Sequence, residues 1–160
     1  MTCPATILAF WLALPQWHGD SFTPTERAAH NLPVAESICR VARNDNERAF
    51  LATQAYAETK LAEAVLVEEC HRMPPGSRCD AGLATGPWQV HKHCPEAWTA
   101  PTRADRYDAG ARCALRMARQ CRTPEGWFAA QGGFRRCAAD WARRRVPMFW
   151  RIVAKLREKS

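Results

Sequence analysis

One glutamate is notable for its position in a helical pattern. Leu51, Ala55 and Glu58 stand at positions i, i+4 and i+7, and residues with this spacing share one face of an α-helix. Leu61 continues the apolar stripe, so the carboxyl group of Glu58 is expected among apolar neighbours. A carboxyl group in such surroundings holds its proton to higher pH than in water. It can then act as a general acid that protonates a leaving oxygen.

The same pattern has a structural alternative. A glutamate near the end of a helix can point to solvent, or it can be buried beside an arginine that neutralises it. Glu63, Glu68 and Glu69 lack the helical pattern of Glu58 and are weaker candidates for chemistry.

A second candidate element is the loop GLATGPWQVH, residues 82–91. Gly82 and Gly86 give the backbone the freedom to bend close to a ligand. Trp88 offers a flat apolar surface, and Gln89 offers a hydrogen-bond donor and an acceptor. The alternative is that Trp88 and Val90 fill the core, and the sequence leaves the role of Trp88 open.

The order of three motifs resembles the lysozyme-like lytic transglycosylases and goose-type lysozymes. A glutamate and a hydroxyl residue end a helix (Glu58-Thr59), a Gly-Pro-Trp-Gln-Val loop follows at 86–90, and Phe-Ala-Ala-Gln-Gly stands at 128–132. In this family a Glu-Ser pair precedes a Gly-Leu-Met-Gln-Ile-like loop and an Ala-Tyr-Asn-Ala-Gly-like segment. Here Thr59 replaces serine, Trp88 replaces methionine, and Gln131 falls in the tyrosine-asparagine region. The resemblance covers about residues 46–137, and it is closest to a cysteine-rich branch.

The resemblance implies cleavage of peptidoglycan between N-acetylmuramic acid and N-acetylglucosamine. Glu58 is the expected catalytic acid, after which it activates either water or the muramic 6-hydroxyl group, and the sequence does not choose between them. Asp80 is the best candidate for a second carboxylate, with Glu68 and Glu69 behind it. The expected substrate-binding residues are Thr59, Gly86, Trp88, Gln89 and Gln131. The family needs no cofactor, and its partner is the glycan strand.

The resemblance also implies a mostly α, lysozyme-like domain with a small β element beside the cleft. We expect one domain over 1–160, with N-terminal helices in 1–45 and a basic C-terminal helix in 138–160. The sequence predicts helices at 4–14, 24–44 with a break or kink at Pro33, 46–60, 105–122, 124–131 and 137–159, and a short strand at 64–67.

Eight cysteines without a CxxC pair favour a disulfide framework and an oxidising compartment. Local spacing suggests Cys70–Cys79, Cys94–Cys113 and Cys121–Cys137, which leaves Cys3–Cys39. A zinc site is the rival interpretation, although its ligand spacing fits no standard finger. Its ligands would be Cys70, Cys79, His91, His93 and Cys94.

Charge is unevenly placed along the chain. Residues 1–100 carry 8 basic and 11 acidic side chains, whereas residues 101–160 carry 15 and 5. The basic half favours an anionic partner, for which we expect wall polymers rather than nucleic acid. A catalytically inactive wall- or polyanion-binding module is the second functional hypothesis. The apolar run at 7–14 is too short to span a bilayer and is expected to be a buried helix rather than a signal remnant. We expect an extracytoplasmic monomer.

Overall fold

The computed structural model describes residues 2–16, 20–62, 65, 84–132 and 136–158. These residues are mostly helical and contain no β-strand. The helices are α1 (Cys3–Leu12), α2 (Pro24–Val41), α3 (Asp45–Thr59), α4 (Pro95–Thr99), α5 (Arg103–Ala118), α6 (Pro124–Ala130), α7 (Asp140–Arg143) and α8 (Val146–Arg157).

The apolar helix α1 packs against α2 and α8 and is anchored to α3. Trp11 is fully buried, and its indole Nε1–H donates to the carbonyl oxygen of Ala52 at 3.2 Å. The guanidinium of Arg27 on α2 donates to the carbonyl oxygens of Trp11 and Leu14, at 3.0 and 3.1 Å. The prediction of a buried helix here is therefore confirmed. No helix among the described residues is both long and apolar enough to cross a membrane.

Helix α2 begins with a capping box that the sequence analysis overlooked. The hydroxyl of Thr23 accepts from the backbone N–H of Glu26, and the Glu26 carboxylate accepts from the backbone N–H of Thr23, which satisfies two exposed donors at once. The helix continues through Pro33, so the predicted break is wrong. It ends at Val41, three residues before the predicted end.

Helix α3 forms the centre of the core. It packs against α5, α6 and α8, and it accepts the hydrogen bond from Trp11 of α1. Its residues 49–56 are buried. The ring of Phe50 lies 5.2 Å from that of Phe128 on α6, which in turn contacts Phe149 on α8. Aromatic pairs at these distances contribute roughly 0.5–1.5 kcal/mol beyond their burial. They hold the later helices around the one that carries Glu58.

The C-terminal part differs from the predicted single helix over 137–159. It consists of α7 and α8, separated at Arg144 and Arg145. Pro147 explains the break, because proline lacks an N–H and is accommodated only in the first turn of a helix. The short helix α4 was not predicted, whereas α6 agrees with its prediction to within a residue.

Three of the predicted disulfides are present: Cys3–Cys39, Cys94–Cys113 and Cys121–Cys137. Cys70 and Cys79 lie outside the described residues. The predicted β element also falls largely outside them, and Val65, the described residue of the predicted strand, is helical and buried. In the described part, β pairing consists of an isolated antiparallel bridge between Thr85 and Val90.

Candidate active site

Helix α3 is built to end at a defined point. Its first turn is capped by Asn44, whose side chain accepts from the backbone N–H of Glu47 at 3.0 Å. Leu51 and Ala55 are fully buried on the face predicted from the sequence. The helix ends at Thr59, followed by Lys60 in the left-handed conformation. Glu58 therefore projects from the last turn of a rigid, central helix.

Glu58 is paired with an arginine that the sequence analysis did not single out. Its Oε1 accepts from Nε2 of Gln54 at 3.0 Å and from Nη1 of Arg145 at 2.6 Å. The same Nη1 donates to Oε1 of Gln54 at 2.6 Å, and the Arg145 guanidinium lies 4.6 Å from the centre of the Trp141 ring. The surroundings of Glu58 are thus polar and ion-paired, which corrects the expectation of an apolar environment.

This pair is partly shielded from solvent. The side chains of Glu58 and Arg145 are 27% and 17% exposed. Both hydrogen bonds to Glu58 fall on Oε1, and none of the described residues donates to Oε2. One carboxylate oxygen is therefore fixed, and the other remains open to a ligand.

The loop after residue 84 is a tight turn closed by its ends. Thr85 and Val90 exchange backbone hydrogen bonds of 3.0 and 3.1 Å. Gly86 has a φ of +68°, where glycine carries no steric penalty, and its carbonyl oxygen accepts from the backbone N–H of Gln89 at 3.0 Å. Gly86 thus shapes the loop, and it does not line the cavity described below.

Trp88 points into the core. It is 2% exposed, and its Nε1–H donates to the carbonyl oxygen of Leu51 on α3 at 3.0 Å. A side chain in this position offers only an edge to the adjacent cavity. The sequence left two roles open for Trp88, and the structure favours the core-filling one. Its hydrogen bond to Leu51 fixes the loop against α3, the helix that carries Glu58.

Gln89 keeps a hydrogen-bonding group available. Its Nε2 donates to the carbonyl oxygen of Gly86 at 2.9 Å, while its Oε1 is buried and has no partner among the described residues. An unpaired buried amide oxygen is costly, by about 1–3 kcal/mol. A ligand hydroxyl or amide donor, or a water molecule, would satisfy it.

A cavity of about 220 Å³ brings four predicted site residues together, and the buried Trp88 is one of them. Glu58 from α3, Gln89 from the loop and Gln131 from the end of α6 all line it. Gln131 is held by its Nε2, which donates to the carbonyl oxygen of Ala114 at 3.0 Å. The other lining residues are Gln54, Ala84, Trp88, Val90, His91, His93 and Met117.

A second cavity, of about 620 Å³, adjoins the first. His91, His93, Met117 and Gln131 line both, and the second extends to Arg116, Gln120 and Gly132. Burial, followed by the charges of His91 and Arg116, lowers the pKa of His93 below its ordinary value. Because the two cavities share four lining residues, we refer to them together as the cleft.

Thr59, like Gly86, does not line this cleft. Thr59 is fully buried, and its hydroxyl donates to the carbonyl oxygen of Ala55 at 2.8 Å and accepts from the backbone N–H of Leu61 at 3.0 Å. Its role is therefore to close the helix, which corrects the expectation of substrate contact. Asp80, the candidate second carboxylate, lies outside the described residues, as do Glu68 and Glu69.

The zinc interpretation loses one of its sulfur ligands. His93, Cys94 and Cys113 bring their potential ligand atoms within 4.8 Å of one another. The two sulfurs are joined in a disulfide, however, and a disulfide sulfur is not a thiolate ligand. The remaining cysteines of that hypothesis, at 70 and 79, lie outside the described residues.

Residues that the sequence analysis missed complete the site. Gln54 stands four residues before Glu58, so its helical spacing could have identified it. Arg145 and Met117 are distant in sequence and give no such local signal. Comparisons of the chain with protein-family models, curated proteins and solved structures found no match.

Proposed function

We propose that the protein cleaves peptidoglycan at the β-1,4 bond between N-acetylmuramic acid and N-acetylglucosamine, with Glu58 as acid and base. The observation that carries this proposal is the shared cavity. Glu58, Gln89 and Gln131 come from three separate segments and line one space of about 220 Å³. Among the described residues that line this cavity, Glu58 is the one that has a carboxylate side chain.

The mechanism uses the open oxygen of Glu58. A proton on Oε2 passes to the glycosidic oxygen as the bond from that oxygen to the muramic C1 breaks. The resulting carboxylate then takes a proton from an attacking hydroxyl group as its oxygen bonds to C1. Attack by water gives a reducing end, and attack by the muramic 6-hydroxyl group gives a 1,6-anhydro end.

Arg145 has a defined part in this cycle. A guanidinium 2.6 Å from Oε1 attracts the carboxylate charge, so the acid step requires this pair to loosen when the glycan binds. Arg145 has other partners to hold it, namely Oε1 of Gln54 and the ring of Trp141. In the base step, the same guanidinium stabilises the carboxylate that remains.

The amides of the cleft suit a sugar substrate. Oε1 of Gln89 is a buried acceptor that has no partner within the described part of the chain, and a sugar hydroxyl or acetamido N–H would satisfy it. Gln54 and Gln131 add further polar groups to the same wall. A lysozyme-like arrangement with a small β element beside the cleft, as the resemblance implies, is part of this proposal.

The expected location follows from the disulfides. Three disulfides among the described residues favour an oxidising compartment, which is where peptidoglycan is exposed. The basic second half would concentrate the protein on the anionic wall in a salt-dependent manner. We propose a secreted, periplasmic or virion-associated monomer.

A second candidate is a binding module without catalytic activity. The 2.6 Å ion pair gives Glu58 a structural role that needs no chemistry. A separate cavity of about 520 Å³ is lined by four arginines together with Val41 and Leu115, which suits a polyanion. The arginines are Arg43, Arg112, Arg116 and Arg119.

Digestion of purified peptidoglycan separates the two candidates. Wild type, Glu58→Gln and a matched control, Glu125→Gln, would be incubated with sacculi and the products read by mass spectrometry. Glu125 also pairs with an arginine, Arg143, but lies outside the cleft. The enzyme proposal expects at least about a hundredfold loss in Glu58→Gln and none in the control. A folded, disulfide-bonded wild type that binds sacculi but releases nothing would favour the binding module.

A further inference from the structure

A nitrogen and a sulfur stand side by side where the two cavities meet. Nε2 of His93 lies 3.1 Å from Sδ of Met117. First-row metal ions bind nitrogen at about 2.0 Å and sulfur at about 2.3 Å. An angle of roughly 90° at the ion would place the two ligand atoms about 3.1 Å apart. The pair therefore already has the spacing of two ligands to one ion.

A second imidazole stands next to this pair. His91 and His93 are two residues apart in the turn that follows the loop, and their rings are within 9° of parallel with centres 6.2 Å apart. An ion that binds one nitrogen of each ring at about 2.0 Å separates the ring centres by about 6 Å when the two nitrogens lie on opposite sides of the ion. Both histidines and Met117 line both cavities, so an ion can reach them from solvent.

The donor set selects the kind of metal. The neighbouring sulfurs of Cys94 and Cys113 are joined in a disulfide, which leaves the thioether of Met117 as the sulfur ligand. Carboxylates are absent from the described residues that line the second cavity, whereas Arg116 is present. The guanidinium of Arg116 is ion-paired with Glu96 at 3.0 Å. A thioether combined with imidazoles favours monovalent copper.

We propose that His91, His93 and Met117 bind a monovalent copper ion. This site differs from the zinc hypothesis, because it uses a thioether and needs no thiolate. It is independent of glycan cleavage, since binding requires only these three side chains. If the cleft also holds a glycan, the ion would occupy its path beside Gln131, and copper would act as an inhibitor.

The test is a competition titration with the full chain. Copper(I), kept reduced by ascorbate under anaerobic conditions, would be supplied as its coloured bicinchoninate complex, and its loss to the protein followed by absorbance. The variants are Met117→Leu and His93→Gln. Met148→Leu is the matched control, because it makes the same change outside both cavities. Leucine conserves the volume of a buried methionine, so the fold should persist, and circular dichroism and a thiol count would check this.

We expect wild type and Met148→Leu to bind one copper ion per chain. Met117→Leu and His93→Gln should bind it at least about tenfold more weakly. X-ray absorption of the copper-loaded wild type should show a sulfur at about 2.3 Å. Copper binding that is unchanged in both ligand variants would overturn the proposal, as would absence of binding to wild type. Zinc(II) binding as tight as copper(I) binding would overturn the soft-ligand assignment.

Discussion

The ion pair between Glu58 and Arg145 should couple measurably to folding. Their charges meet at 2.6 Å with 27% and 17% of the side chains exposed. Two unit charges about 4 Å apart attract by about 1 kcal/mol in water and about 4 kcal/mol near a protein surface, and desolvation offsets part of this. Exposed pairs contribute about 0.2–1 kcal/mol, and hydrogen bonds to charged groups about 1.5–3 kcal/mol. We therefore expect a coupling free energy of about 1.5 kcal/mol.

A double-mutant cycle measures this coupling. Glu58→Gln, Arg145→Gln and the double variant would be unfolded in urea beside wild type. Each single variant should lower the free energy of unfolding by about 1.5 kcal/mol or more, and the double variant should lose less than the sum of the two. A parallel cycle on Glu125 and Arg143 serves as the control, because these side chains are 35% and 71% exposed. Its coupling should be smaller than that of Glu58 and Arg145 and should shrink in salt.

The comparison of the two cycles tests whether the cleft shields the pair of Glu58 and Arg145 from solvent. If the coupling of Glu58 and Arg145 is no larger than that of the control pair, or is equally screened by 0.5 M salt, the cleft does not shield the pair. The assignment of Glu58 to a protected, preorganised site would then fail, whatever the activity assay gives. Activity and coupling are read separately, so loss of catalysis cannot be mistaken for loss of fold.

Two further results are expected. Trp88→Phe should lower the free energy of unfolding by about 1–3 kcal/mol, because it leaves the buried carbonyl of Leu51 without its donor; a urea titration that shows no loss would place the indole in the cleft rather than the core. Burial raises the pKa of Asp108, but the hydrogen bond from Arg40 at 2.9 Å and the charges of Arg40 and Arg112 outweigh it and hold that pKa below its ordinary value. The stability from Asp108 is therefore present above about pH 4, the unfolded value, and is lost as the pH falls further. Between about pH 6 and 3, the free energy of unfolding measured in urea should fall more steeply for wild type than for Asp108→Asn. An equal pH dependence of the two proteins would contradict this.

Local patterns account for what could be predicted. The 3.6-residue period placed Leu51 and Ala55 on the buried face of α3 and Glu58 beside it. The prediction of a helix at 124–131 agrees with α6, which the structure shows to be capped by Thr123, whose side chain accepts from the backbone N–H of Gly126. Short cysteine spacings identified the disulfides at 94–113 and 121–137, because nearby cysteines have few partners within reach.

Non-local contacts determine the features of the site that could not be predicted from the sequence. Arg145 pairs with Glu58 across 87 positions, and nothing in either local sequence indicates the other. Trp88 could face a ligand or the core, and only the position of the Leu51 carbonyl decides between them. The burial of Thr59 depends on the turn of the chain at Lys60 and Leu61, both at positive φ without being glycine. Left-handed conformations at such residues are disfavoured by about 1–2 kcal/mol each, so the sequence gives no reason to expect them.

The long separation of Glu58 and Arg145 also has a consequence for biosynthesis. A ribosome releases the chain from its N-terminus, so the carboxylate of Glu58 and the amides of Gln54 and Gln89 emerge well before Arg145. Contacts this distant form late, after the intervening loops have closed. Until α8 docks on α3, Glu58 has only the amide of Gln54 as a partner among these groups. The negative charge of Glu58 is therefore neutralised only once the chain is complete. A nascent protein already contains the cleft residues but lacks the arginine that fixes Glu58 in position.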